Sequence, residues 1–84
     1  MVHYKVRIQK ETETPLLVTY RFGLGEMPMG RLSLRKTDGY VEEIVPVFHP
    51  KGRAIFARAM HRILDHWGRS EYPDLTYWES DETK

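Results

Sequence analysis

The stretch His49-Pro50-Lys51-Gly52-Arg53 sets an imidazole and two cations at the head of the chain's one long helical pattern. Unpaired backbone N–H groups at a helix start favour an anion, and a glycine there lets a ligand approach the backbone closely. These residue types suit a phosphate or a carboxylate. His49 with Arg53 and a tyrosine is also the smallest set on which a ribonuclease reading can rest. The plainer reading is a helix without a good cap, its cations neutralised by Glu42, Glu43 or the C-terminal carboxylates.

Downstream, Lys51, Arg58, Arg62 and Arg69 fall within about 40° of one another on a helix, off its apolar side. Residues 51–69 hold these four and Arg53 against Asp65 alone, whereas residues 71–84 hold Glu71, Asp74, Glu79, Asp81 and Glu82 against Lys84. A net charge of +1 therefore conceals a basic helix and an acidic tail. Lys51, Arg53, Arg58, Arg62 and Arg69 are the expected contacts for a protein partner with an acidic surface. The alternative is internal: residues 74–82 lying along the stripe.

A second cationic set comes from strand alternation. Lys5, Arg7, Arg21, Arg31 and Arg35 interleave with apolar residues and so share the face turned away from them. The planar guanidinium fork bonds carboxylate and phosphate alike, and with His49 these residues form the candidate nucleic-acid contacts. A dedicated nucleic-acid binder is usually more basic than +1.

Metal and cofactor chemistry finds no support in the spacing. The chain has no cysteine. His61 and His66 are five apart on a helix and point in different directions, and Glu42 and Glu43, adjacent on a strand, face opposite sides. Gly23-Leu24-Gly25 lacks the third glycine and following helix of a nucleotide fingerprint. Met27 and Met29 in the same loop either fold over the end of the core or form an adaptable contact. No catalytic residue, metal or cofactor is expected.

The elements that must position these residues follow from the same periodicities. Val2 to Gln9 and Leu16 to Phe22 alternate as two strands of a hairpin, Arg31 to Lys36 as a third, and Lys36-Thr37-Asp38-Gly39 is a turn with Gly39 suited to positive φ. The fourth run, Tyr40 to Phe48, has no consistent inward side, and Pro46 cannot donate to a ladder, so an edge strand or bulge is expected. Pro50 to Trp67 carries Ile55, Phe56, Ala59, Met60, Ile63, Leu64 and Trp67 at helical spacing, with Gly68 as the left-handed cap. Leu75 to Trp78 is a short last strand or an extended tail with docked aromatics.

The pattern predicts an α+β two-layer sandwich: an antiparallel meander of three to four strands, then one amphipathic helix across one face (β-β-β-β-α), with a short C-terminal strand in reserve. The helix should cover Tyr4, Val6, Ile8, Val18, Tyr20, Leu32 and Leu34. With 84 residues, 40% of them hydrophobic, the chain is expected to fold as one compact domain over residues 1–80, with 81–84 frayed. No apolar run approaches a membrane span and the first ten residues lack a signal-like apolar stretch, so the expectation is a cytoplasmic protein. It is expected as a monomer or an edge-strand homodimer. The function expected is a small non-enzymatic binding protein of the inhibitor, immunity or regulatory-adaptor type, with nucleic-acid binding as the alternative and a small ribonuclease third.

Overall fold

The computed structural model describes residues 5–25 and 30–79; Tyr4, Met27, Met29 and the frayed end expected over residues 81–84 lie outside them. The elements are β1 (Lys5–Glu13), β2 (Leu17–Leu24), β3 (Gly30–Arg35), β4 (Val41–Val45), α1 (Gly52–Trp67) and β5 (Leu75–Glu79). All neighbours pair antiparallel, in the order β4-β3-β2-β1-β5. The architecture is the expected α+β one, a meander with one helix on it. The last segment is a true strand, added beside β1.

Alternation decides which side chains meet the helix. Val6 and Ile8, Val18, Tyr20 and Phe22, and Leu32 and Leu34 are buried against Ile55, Ala59 and Ile63 of α1. Each fully buried aliphatic side chain contributes about 2 kcal/mol relative to exposure. Phe56 meets Phe22 with ring centroids 5.8 Å apart, and Leu64 and Trp67 cover the same side. The Trp67 indole N–H donates to the Lys36 carbonyl at 2.8 Å, fastening the end of the helix to the turn after β3. Gly39 in that turn has φ +74°, and a Cβ there would lie 3.0 Å from the Trp67 ring.

β4 is an edge strand, as expected, ending at Val45 just before Pro46, and its register slips between Arg31 and Leu32 of β3 so that Ile44 is extra. A second slip, between Lys10 and Thr12, leaves Glu11 unpaired on β1. Polar residues on both sides of Glu11 give this bulge no signature in the hydrophobic pattern.

Two details of the helix differ from expectation. It starts at Gly52 rather than Pro50, which lies in the preceding turn, and Lys51 is the N-cap residue without a side-chain cap. At the other end Gly68 stays right-handed at φ −61°, while Ser70 takes the left-handed conformation at φ +58°. The amide of Glu71 then donates back to the His66 carbonyl at 3.0 Å, the closure of a Schellman-type end. Arg69 reaches back to both Asp65 and His66 across this turn, which carries the chain past the glycine.

Candidate functional site

The cations at the head of the helix stand on a turn that satisfies itself. His49 Nδ1 accepts the Lys51 backbone N–H at 2.9 Å, which requires the tautomer protonated on Nε2, and the His49 carbonyl accepts from Gly52 at 2.9 Å. A Cβ on Gly52 would lie 2.5 Å from the Val47 carbonyl oxygen. The glycine thus accommodates the close approach of the chain's own Val47 carbonyl. Lys51 and Arg53 are exposed and have no ion-pair partner among the described residues.

The basic stripe is not an open surface either. Arg62 Nε donates to the Tyr77 carbonyl at 2.7 Å, the Arg58 guanidinium lies 4.9 Å from the Trp78 ring centroid, and His66 Nε2 is 3.1 Å from the Thr76 hydroxyl. These three contacts seat β5 against the helix. The cause is geometric: a fifth strand beside β1 widens the sheet on the stripe's side, so a row expected at the surface becomes a seam. Arg69 turns to Asp65 at 3.2 Å and Glu71 at 3.3 Å. The internal alternative laid residues 74–82 along the stripe, and β5 does lie there, with the Tyr77 carbonyl on Arg62 and the Trp78 ring beside Arg58.

The opposite sheet face holds the second cationic set as expected. Arg21 pairs with Arg31 across β2 and β3, and Arg7 lies between Gly23 of β2 and Tyr77 of β5. Like charges directly opposite repel, and the bulged Glu11 answers them. Its carboxylate lies 2.8 Å from Arg31 Nε, accepts from Arg31 Nη2 at 2.9 Å, and is 3.9 Å from Arg21. Arg35 holds Asp38 with both Nε and Nη2, at 2.9 and 2.7 Å, and those bonds hold the Asp38 carboxyl down to about 2. The Arg35 guanidinium also lies 5.1 Å from the Tyr40 ring centroid.

At the β1–β5 side, Arg7 Nη1 donates to the Tyr77 hydroxyl at 3.1 Å, and Lys5 Nζ sits 4.8 Å from the Tyr77 ring centroid. Arg7 Nε is buried with no hydrogen-bond partner among the described residues. The face therefore collects Lys5, Arg7, Arg21, Arg31 and Arg35, with Tyr77 beside the first two, interspersed with Glu11, Glu42 and Glu79. Side-chain exposures of 46% at Arg21 and 52% at Arg35 leave both guanidiniums reachable by a partner. His49, grouped with these arginines in the sequence reading, belongs instead to the turn before α1. Sequence reasoning missed Glu11 and Tyr77, the first because a bulge moved it and the second because its strand pairs with the far end of the chain.

A third charged group lies on the helix side beyond the core. Glu13 accepts from Lys10 and from Lys36, Lys10 also reaches Asp74 at 3.2 Å, and Lys36 Nζ lies 4.5 Å from the Tyr72 ring centroid. The bonds from Lys10 and then Lys36 hold the Glu13 carboxyl below its ordinary value. Burial pushes the nearby Tyr20 hydroxyl up. The cluster closes the end of the sheet under Trp67. Among the described residues no group of three or more histidine or acidic side chains is arranged to hold a metal ion, and no helix is long and apolar enough to cross a membrane. No family model, curated protein or solved structure matches this chain.

Proposed function

We propose that this is a non-enzymatic binding protein that recognises an acidic surface of a protein partner through its open sheet face. The observation that carries the reading is the collection of Lys5, Arg7, Arg21, Arg31 and Arg35 on the one face the helix leaves uncovered. Arg58, Arg62 and Arg69 are occupied within the fold, so the contact moves from the helix to the sheet, with Lys51 and Arg53 free for a partner that wraps the end of the helix. Interspersed Glu11, Glu42 and Glu79 favour a protein over a nucleic acid. A phosphate backbone is negative throughout and would meet these carboxylates unfavourably, whereas a protein surface can match a mosaic.

The feature that favours nucleic acid is Tyr77 between Lys5 and Arg7, an aromatic among cations of the kind that stacks a base. Its ring is half-buried and already faced by Lys5, which weakens that use.

Titration of the protein against polyglutamate and against mixed DNA and RNA oligomers, at low and moderate salt, separates the readings. The expected result is polyglutamate binding abolished by the double substitution Arg21→Glu and Arg35→Glu and retained by Arg53→Glu. Oligomer binding with a slope near −0.9 per phosphate contact, in the absence of polyglutamate binding, would replace this reading by the nucleic-acid one.

A further inference from the structure

A different surface, the β4 edge, combines three properties. Its outer backbone edge is unpaired among the described residues, since β4 ends the sheet. Four of the seven exposed large hydrophobic residues among those described, Tyr40, Ile44, Val45 and Phe48, lie on or beside it, and Phe48 is fully exposed. Beyond its C-terminal end, Pro46, Val47, Phe48, His49 and Pro50 line an open pocket of about 380 Å³. An exposed, apolar sheet edge is a template for another strand unless charges guard it.

The charges here are two adjacent carboxylates. Glu42 and Glu43 have no ion-pair partner among the described residues, whereas every other described carboxylate interacts with a neighbour. They face opposite sides of the sheet, Glu42 across from Ser33 and Glu43 across from Leu32. A second copy fits badly: full antiparallel overlap of two β4 strands sets Glu43 against Glu43, and the other sheet edge, β5, ends in Glu79. A guest strand with two consecutive basic residues, one on each face, matches both carboxylates at once.

We propose that the β4 edge is a strand-addition site for an extended segment of another protein. The segment carries two adjacent Lys or Arg residues opposite Glu42 and Glu43, flanked by β-branched residues, with a large apolar side chain entering the pocket beside Phe48. Main-chain bonds to residues 41–45 supply affinity, and the carboxylates and pocket set the choice of sequence. Pro46 ends the ladder, and the pocket takes over where pairing stops.

The test uses an end-capped peptide, phenylalanine-valine-valine-lysine-lysine-valine-threonine, with two controls: one with glutamate for both lysines and one with proline for the second valine. Labelled-peptide anisotropy and amide shifts of the ¹⁵N-labelled protein are read together. The lysine peptide should bind with shifts confined to residues 40–50, at least tenfold tighter than either control. Phe48→Ala should weaken it at least threefold, and the pair Glu42→Lys and Glu43→Lys, both at exposed positions that leave the core intact, should transfer the preference to the glutamate peptide. Absence of binding, equal affinity for the proline peptide, shifts on the arginine face, or a β4-mediated dimer in sedimentation of the protein alone would each overturn the proposal.

Discussion

Arg31 Nη2 donates to Glu11 at 2.9 Å, with Nε 2.8 Å from the other carboxylate oxygen in an ion pair, although Glu11 sits in a bulge and has no pairing partner on β2. The bulge turns what would be a bare Arg21–Arg31 repulsion into a bridged triad. Glu11→Gln removes the charge and retains the shape. It should lower stability by about 1 kcal/mol, the scale of a partly exposed pair and a cross-strand like-charge contact, measured as a urea midpoint shift at low salt. The same variant should bind polyglutamate faster, because the face becomes more positive.

Arg62→Met tests the seam between α1 and β5. It keeps the aliphatic stem over the sheet and removes the donor to the Tyr77 carbonyl. Loss of a hydrogen bond from a charged donor costs about 1.5–3 kcal/mol. Amide exchange should accelerate at Thr76 to Trp78 before it does in β2 or β3. Arg53→Met, at an exposed position with no ion-pair partner among the described residues, should stay within about 0.5 kcal/mol of the parent protein.

Two glycine exchanges should move stability in opposite directions. Ser70 bears the left-handed conformation at φ +58°, so Ser70→Gly should stabilise by about 1 kcal/mol in thermal or urea unfolding. Gly52→Ala places a methyl 2.5 Å from the Val47 carbonyl oxygen and must displace the backbone before α1, lowering stability by at least about 1 kcal/mol.

Acid should weaken the fold through three carboxylates. Asp38 is held down to about 2 by its bonds from Arg35, Glu13 is lowered by Lys10 and then Lys36, and Glu71 is lowered by His66 and then Arg69. A carboxyl with a depressed folded-state value favours folding above its ordinary value, and that contribution is lost as pH falls through the folded-state value. Urea midpoints should therefore be steady above about 4.5, the ordinary glutamate value, and fall progressively toward pH 2. The group carrying most of this is identified by the variant whose acid limb flattens, Asp38→Asn or Glu13→Gln.

Alternation was legible in β1, β2 and β3 because apolar residues on one face of each, Val6 and Ile8, Val18, Tyr20 and Phe22, and Leu32 and Leu34, are buried and a period of two then has to appear in the sequence. Pro46 marked β4 as an edge for a reason equally local, its missing donor. What escaped was nonlocal or carried by polar residues. Glu11 sits among Lys10, Thr12 and Glu13, where an inserted residue disturbs no hydrophobic pattern. Tyr77 meets Arg7 across 70 positions of chain, so neither could announce the other. The stripe of Arg58 and Arg62 was read correctly as a stripe. Its contacts with β5 were not legible, because the strand laid beside it came from residues that also fit an extended tail.

That strand has a consequence for the order in which the molecule is made. β1 and the Arg58–Arg62 row are among the surfaces β5 covers, and β5 follows both of them in the chain. A nascent chain completed through α1 can assemble the β1–β4 meander and its helix while one sheet edge and two guanidiniums still lie bare. Until residues 75–79 emerge, a chaperone or a neighbouring polypeptide competes for the groove that β5 will fill.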